Sequence, residues 1–298
     1  MRILNFGSLN LDSFYSVDHF VQAGETLSSE KLEQFCGGKG LNQSIALAKA
    51  GADVCHAGCV GADGAALLRL LEESGVNTEY VRTVEDVSGH AIIQVDSHGQ
   101  NCILLYGGAN HRITREMIRE VMADFGKDDV LLLQNETNLV GEIVEEACRR
   151  GMRIALNPSP VNERLREIDM SKVTWFLLNE VEGKAMTGQT EAEEMLRVFR
   201  ERYPQSVVVL TLGKDGVLYD DGAVRCAHGI YEVPVVDTTG AGDTFTGYFL
   251  ASRMAGKTPQ ESLRLASVAS SLVVSRKGAG PSIPLLAEVE AAGLKPQK

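Results

Sequence analysis

Basic residues are the minority in this chain: 29 Lys and Arg stand against 40 Asp and Glu, a formal net charge of −11. A nucleic-acid surface needs the opposite sign. An anionic ligand must therefore find local donors, because no general positive field draws it in. Long apolar runs are also missing, so no membrane-spanning helix is expected. The opening Met-Arg-Ile-Leu-Asn-Phe-Gly reads as a first strand and not as a targeting segment, which makes the cytoplasm the expected location. The six cysteines, at 36, 55, 59, 102, 148 and 226, are scattered. The Cys55-His56-x-x-Cys59 cluster lacks a second ligand pair at zinc spacing and is read as buried thiols in a strand. Two nucleotide fingerprints are absent as well. Gly-x-x-x-x-Gly-Lys-Ser/Thr occurs nowhere, and no Gly-x-Gly-x-x-Gly follows the first strand.

What is present centres on Pro234 to Leu250, which contains Asp237-Thr-Thr239-Gly240-Ala241-Gly242-Asp243-Thr-Phe. The β-branched run Val233 to Val236 predicts a strand ending at Asp237. Two glycines in three positions give a permissive loop, and Phe245, Tyr248, Phe249 and Met254 recur at helical spacing. Free N–H groups at the start of that helix form an anion site. A carboxylate there repels phosphate, so Asp243 suits a base that takes a proton from an attacking hydroxyl. The plainer reading, a capping aspartate, competes with it.

Earlier in the chain, Gly37-Gly38-Lys39-Gly40-Leu41-Asn42-Gln43 opens an apolar-periodic helix through Ala50. Its glycines admit a ligand close to the backbone, Lys39 supplies a point charge, and Asn42 supplies a donor and an acceptor. Asn10 and Asp12, two apart just past the first strand, suit adjacent hydroxyls of a polyol, or a simple Asx turn. Phe14–Val17 and Leu32–Phe35 read as strands with no helix between them. His90–Val95 and Cys102–Tyr106 read as a hairpin, and together these segments make a small sheet that closes over a sugar. Beyond Thr114, helices near 114–122, 138–149, 191–202, 241–254 and 258–275 alternate with strands near 129–133, 153–156, 174–178 and 206–211. This pattern predicts a doubly wound, mainly parallel α/β sheet. Polar residues gather after successive strands: Glu136, Asn157, and Asn179 with Glu182. Thr211 to Gly216 reads as a hairpin turn whose glycines let nucleotide approach. The tail through Lys295-Pro-Gln-Lys298 reads as frayed.

Together, the motifs around Asp243 and Lys39 resemble the ribokinase branch of the PfkB carbohydrate kinase family, nearly end to end. The resemblance implies one kinase domain over 1–298, with lid strands from about 11–36 and 88–108. It implies ATP-dependent phosphorylation of a primary hydroxyl, ribose first, with fructose, deoxyribose or a nucleoside as alternatives. A rival of another class is a non-catalytic regulator that binds sugar or nucleotide. By resemblance, Asp243 is the base, and Gly240, Ala241 and Gly242 form the anion hole. Asn10, Asp12, Gly38, Lys39, Gly40, Asn42 and Glu136 bind sugar. Asn179, Thr211, Gly213, Gly216, Gly242 and Ser267 bind nucleotide. Mg2+ is expected near Asn179 and Glu182, and potassium near Asp237, Thr239, Val273, Arg276, Gly278 and Ser282. A homodimer through the lid is expected by the same analogy, with no nucleic-acid or membrane partner.

Overall fold

A computed structural model describes residues 1–297. The chain opens with β1 (Ile3–Phe6), β2 (Asn10–Ser16), β3 (Lys31–Gly37), α1 (Lys39–Lys49), β4 (Val54–Val60), α2 (Ala65–Glu73) and β5 (Asn77–Thr83). There follow β6 (Gly89–Val95), β7 (Asn101–Tyr106), α3 (Arg115–Met122), β8 (Val130–Gln134), α4 (Val140–Arg149), β9 (Arg153–Asn157), β10 (Trp175–Asn179) and α5 (Glu180–Thr187). The last part holds α6 (Ala192–Arg202), β11 (Val207–Thr211), β12 (Val217–Asp220), β13 (Arg225–His228), α7 (Ala241–Met254), α8 (Pro259–Val274) and α9 (Leu286–Ala291).

The large sheet runs β13-β12-β11-β10-β9-β8-β1-β4-β5. It is parallel from β11 through β5, with β12 and β13 antiparallel at one edge. Its strands are apolar on both faces because helices cover both. Ile3, Leu132, Leu177 and Val209 pack toward α1, α7 and α8. Their neighbours Leu4, Leu131, Phe176 and Val208 pack toward α3, α4 and α6. That is the near-continuous hydrophobic pattern of a buried parallel sheet. A second sheet, β3-β2-β6-β7, stands apart from it.

The doubly wound expectation holds, and the helix and strand limits after Thr114 agree within two residues. Several local readings do not hold. Val233–Val236 is not a strand: Pro234 has no N–H to give, and Val235 and Val236 are exposed. Instead the Val236 and Asp237 N–H groups both bond the Val274 carbonyl at the end of α8 (2.8 and 3.2 Å). The tail is not frayed through Gln297. Glu232 N–H bonds Lys295 O, and Gln297 N–H bonds Ile230 O, both at 2.9 Å. Lys298 lies outside the described residues. Strands β5 and β13 went unpredicted, since both are polar edge strands with little apolar alternation.

Candidate active site

Parallel strands leave their C-terminal ends open at one rim, and strand order reverses between β1 and β8. The residues just past β1 and β8 therefore meet. Ser8 Oγ donates to Glu136 Oε2, which also accepts the Lys39 N–H at 3.0 Å. Glu136 thus sits on the first turn of α1, where a carboxylate is favoured. Gly38 opens that helix at φ 97°, a backbone state that favours glycine. At Gly40 a Cβ would lie 2.3 Å from Ser8 N, so the helix and the end of β1 are in backbone contact.

Asp243 is 7% exposed on α7. It does not cap the helix: Gly240 is the cap residue, at φ 76°, and Asp243 is the third helical residue. Its carboxylate turns to α1. Asn42 Nδ2 donates to Oδ2 at 3.2 Å and Gln43 Nε2 to Oδ1 at 2.8 Å, with Lys39 Nζ 3.9 Å from Oδ1. Gly247 makes this approach possible. A Cβ there would meet Ala46 Cβ at 2.4 Å, so the two helices touch one turn beyond Asp243, Asn42 and Gln43. Burial works against a charge on Lys39, but Asp243, Glu136 and Glu182 outweigh it and hold the ammonium above the usual lysine range.

Asn10 and Asp12 lie on β2, and Asn10 accepts from Asn110 Nδ2 at 2.7 Å. Asp12 Oδ1 and Asn42 Oδ1 are buried acceptors with no partner among the described residues. Buried acceptors of that kind suit donor hydroxyls. Burial, reinforced by nearby Glu136, pushes the Asp12 carboxyl up to about 6.

On the far side of Asp243 a cleft of about 530 Å³ is lined by Asn179, Thr211, Gly213, Gly216, Ala241, Gly242 and Ser267. It brings every residue expected at the nucleotide into one wall. The first helical hydrogen bond of α7 is Thr244 N–H to Gly240 O at 2.8 Å; before it the Ala241 N–H bonds the Thr238 carbonyl at 3.3 Å, and the Gly240, Gly242 and Asp243 N–H groups have no partner among the described residues. Gly242 faces open space. Gly216 is a glycine for packing: a Cβ would lie 2.2 Å from the His228 carbonyl. Beside this cleft a small pocket joins Lys39, Asn157, Asn179, Glu182, Gly242 and Asp243. Asn179 and Glu182 form a reciprocal capping box on α5 (Glu182 N–H to Asn179 Oδ1, 2.9 Å; Asn179 N–H to Glu182 Oε2, 3.0 Å).

The loops expected at potassium also meet. Asp237 Oδ1 accepts from Thr239 N–H (2.9 Å) and Oγ (2.6 Å), and its Oδ2 from Gly278 N–H at 3.0 Å. Ser282 Oγ donates to the Gly278 carbonyl, Arg276 Nη1 to the Ser282 carbonyl at 3.3 Å, and Arg276 N–H to the Val273 carbonyl at 3.1 Å. Sequence reasoning assigned no role to Ser8, Gln43, Asn110 or Gln297. The last lines the cleft of about 530 Å³. Only Gln43 lay inside a recognised motif, and side-chain amides give no periodic signal.

The model of pfkB family carbohydrate kinases matches residues 2–286. The chain belongs to that family. A ribokinase of Haemophilus influenzae is 34% identical to this kinase over 289 residues, 93% of this chain and 94% of that one. The solved ribokinase of Cryptococcus neoformans, in complex with ADP, is 33% identical with a TM-score of 0.84, over 97% of this chain and 98% of that one. The Arabidopsis thaliana ribokinase, solved with ribose and ATP, is 29% identical with a TM-score of 0.84, over 97% of each chain.

Proposed function

We propose that this kinase transfers the γ-phosphoryl group of ATP to the primary hydroxyl of D-ribose, giving ribose 5-phosphate and ADP. The observation that carries the reading is the place of Asp243. It is a buried carboxylate held by Asn42, whose Oδ1 is an unpartnered acceptor, and it lines the small pocket that shares Asn179, Thr211 and Gly242 with the large cleft. The ribokinase names of similar proteins support ribose as the sugar.

In this mechanism Asn10, Asp12, Asn42 and Glu136 hold the sugar, with Gly38, Lys39 and Gly40 forming its floor. Asp243 accepts the proton as the hydroxyl oxygen bonds the γ-phosphorus and the bond to the β–γ bridging oxygen breaks. Charge on the phosphoryl oxygens meets the free N–H groups of Gly240 and Gly242 and the positive end of α7, with the Ala241 N–H turning to it from its 3.3 Å bond to the Thr238 carbonyl. Lys39 adds a fixed positive charge beside them. Thr211, Gly213, Gly216 and Ser267 form the nucleotide wall.

The single Glu182 carboxylate, with lone pairs left after its capping bonds, fits a Mg2+ that keeps several waters, and Asn179 stands beside it. Such a cation would neutralise phosphate charge. The carboxylate of Asp237 and the carbonyls of the 273–282 loop are oxygen donors of the kind a monovalent cation takes, so these residues would hold potassium. Asp237 with Thr239 ties the loop before α7 to Gly278 whether or not an ion is present. The lid sheet is proposed to pair two copies of the chain, since all of β7 is exposed at a sheet edge.

The decisive experiment is ADP release with Mg-ATP against ribose, deoxyribose, fructose and adenosine, with and without potassium. Ribose should give the highest kcat/KM. Asp243→Asn should fold normally and lose about 10²–10⁴-fold in kcat. Near-normal turnover by that variant overturns the mechanism. Binding of sugar and nucleotide without any product would instead favour a regulator.

A further inference from the structure

Behind the Asp243 carboxylate lies a buried chain of amides that the proposed mechanism does not use. Gln43 is 0% exposed, and its Nε2 donates to Asp243 Oδ1 at 2.8 Å and toward Asn157 Oδ1 at 3.3 Å. Its Oε1 accepts from Gln134 Nε2 at 2.6 Å. Gln134 Nε2 also reaches Asn5 Oδ1 at 3.0 Å, and Asn5 Nδ2 donates to Ser44 Oγ at 2.8 Å. Ser44 meets His56 Nδ1 at 2.8 Å, while His56 Nε2 lies 3.2 Å from the Gly7 carbonyl. That carbonyl only accepts, so the His56 proton sits on Nε2 and the Ser44 hydroxyl donates to Nδ1. Burial holds His56 down at about 4, which keeps this arrangement single.

Each link has a direction, and the directions agree. Turning the Gln43 amide over would set its oxygen against the Asp243 carboxylate and its NH2 against the Gln134 NH2. Both contacts are repulsive in a dry interior. The Gln43 donor is therefore locked toward Oδ1. On the other side Asn157 Nδ2 reaches Glu182 Oε2 at 3.4 Å, so one amide pair spans from the base to Glu182.

We infer that Gln43 is a positioning residue: it fixes the rotation of the Asp243 carboxylate so that Oδ2, which among the described residues only Asn42 approaches, faces the acceptor hydroxyl. This is the third member that an activated nucleophile and its base call for, a group that orients the base. It touches neither substrate. The inference rests on Asp243 as the base, and its test separates the two.

The test is a cycle of Gln43→Met, Asp243→Asn and the double variant in the full chain, with ribose and Mg-ATP and a thermal melt of each. Gln43→Met keeps volume and removes the donor. It should lower kcat about 100-fold, the scale of a misplaced group, with both KM values within about twofold. In the Asp243→Asn background the same change should lower kcat by less than about threefold, because residues acting as a unit are not additive. A loss that multiplies fully onto Asp243→Asn, or an unchanged kcat in Gln43→Met, overturns the assignment and leaves Asp243 in place. Near-normal turnover by Asp243→Asn alone overturns the base itself. If Gln43→Met does not fold, Gln43→Leu carries the same cycle, since it is close in volume and likewise removes the donor to Oδ1.

Discussion

Burial holds the Asp12 carboxyl up to about 6, with Glu136 adding to the push. The folded protein then binds that proton more tightly than the unfolded chain does. Stability from this group is present below the ordinary aspartate range and is lost as pH rises through about 6. Above that pH an uncompensated buried carboxylate is a load on the fold, one that the hydroxyls of the proposed sugar would relieve. We expect Asp12→Asn to stabilise the ligand-free protein at pH 8 by about 1–2 kcal/mol and to leave it nearly unchanged at pH 4. The same variant should raise the KM for ribose. Chemical denaturation at both pH values checks the first effect; a variant less stable at pH 8 would refute it. The sequence proposes the residue as a polyol contact from its spacing to Asn10. Its strain was not, because burial is a property of the packed lid.

The start of α7 shows how one short element combines two kinds of glycine. Gly240 adopts φ 76°, and a Cβ there would lie 2.9 Å from Ala279 Cβ. Gly242 has an ordinary backbone and open space where a side chain would go. We expect Gly240→Ala to lower stability by about 1 kcal/mol or more through backbone strain. Gly242→Ala should melt like the parent yet lose most turnover, because its methyl enters the space beside the free N–H groups. Parallel melting and kcat measurements separate the two; equal activity in Gly242→Ala would show that phosphate does not approach there. The sequence marks both positions with the same letter. Only the backbone angle and the neighbouring Ala279 tell a structural glycine from one that leaves room.

Across the whole molecule, the two sheets differ in how they are finished. The large sheet is covered on both faces, whereas the lid ends at β7, where Ile103, Leu104, Leu105 and Tyr106 are all exposed, Leu104 to 68%. An apolar, unpaired edge strand is an aggregation hazard unless something covers it. A second copy of the same lid is the proposed cover. Light scattering of the parent should then give a dimer mass, and Leu104→Lys should give a monomer with a higher KM for ribose. A monomeric parent at micromolar concentration would discard the dimer.

The sequence determined the doubly wound core because its signals are local and repeated: buried parallel strands are continuous apolar runs, and the helices between them carry a clear period. It also determined the two glycine motifs and the aspartate that follows the second, since chemistry of that kind needs particular residue types at short spacing. It misread Val233 to Val236, where β-branched residues favour a strand but Pro234 and the pull of the Val274 carbonyl prevail. Tertiary structure alone decided what Asp243 touches. Asn42 and Gln43 stand some two hundred positions away, and a helix contact at Gly247 brings them within hydrogen-bond reach. No local pattern encodes that meeting, because it depends on two helices packing on one face of a sheet whose strands are ordered by the whole chain.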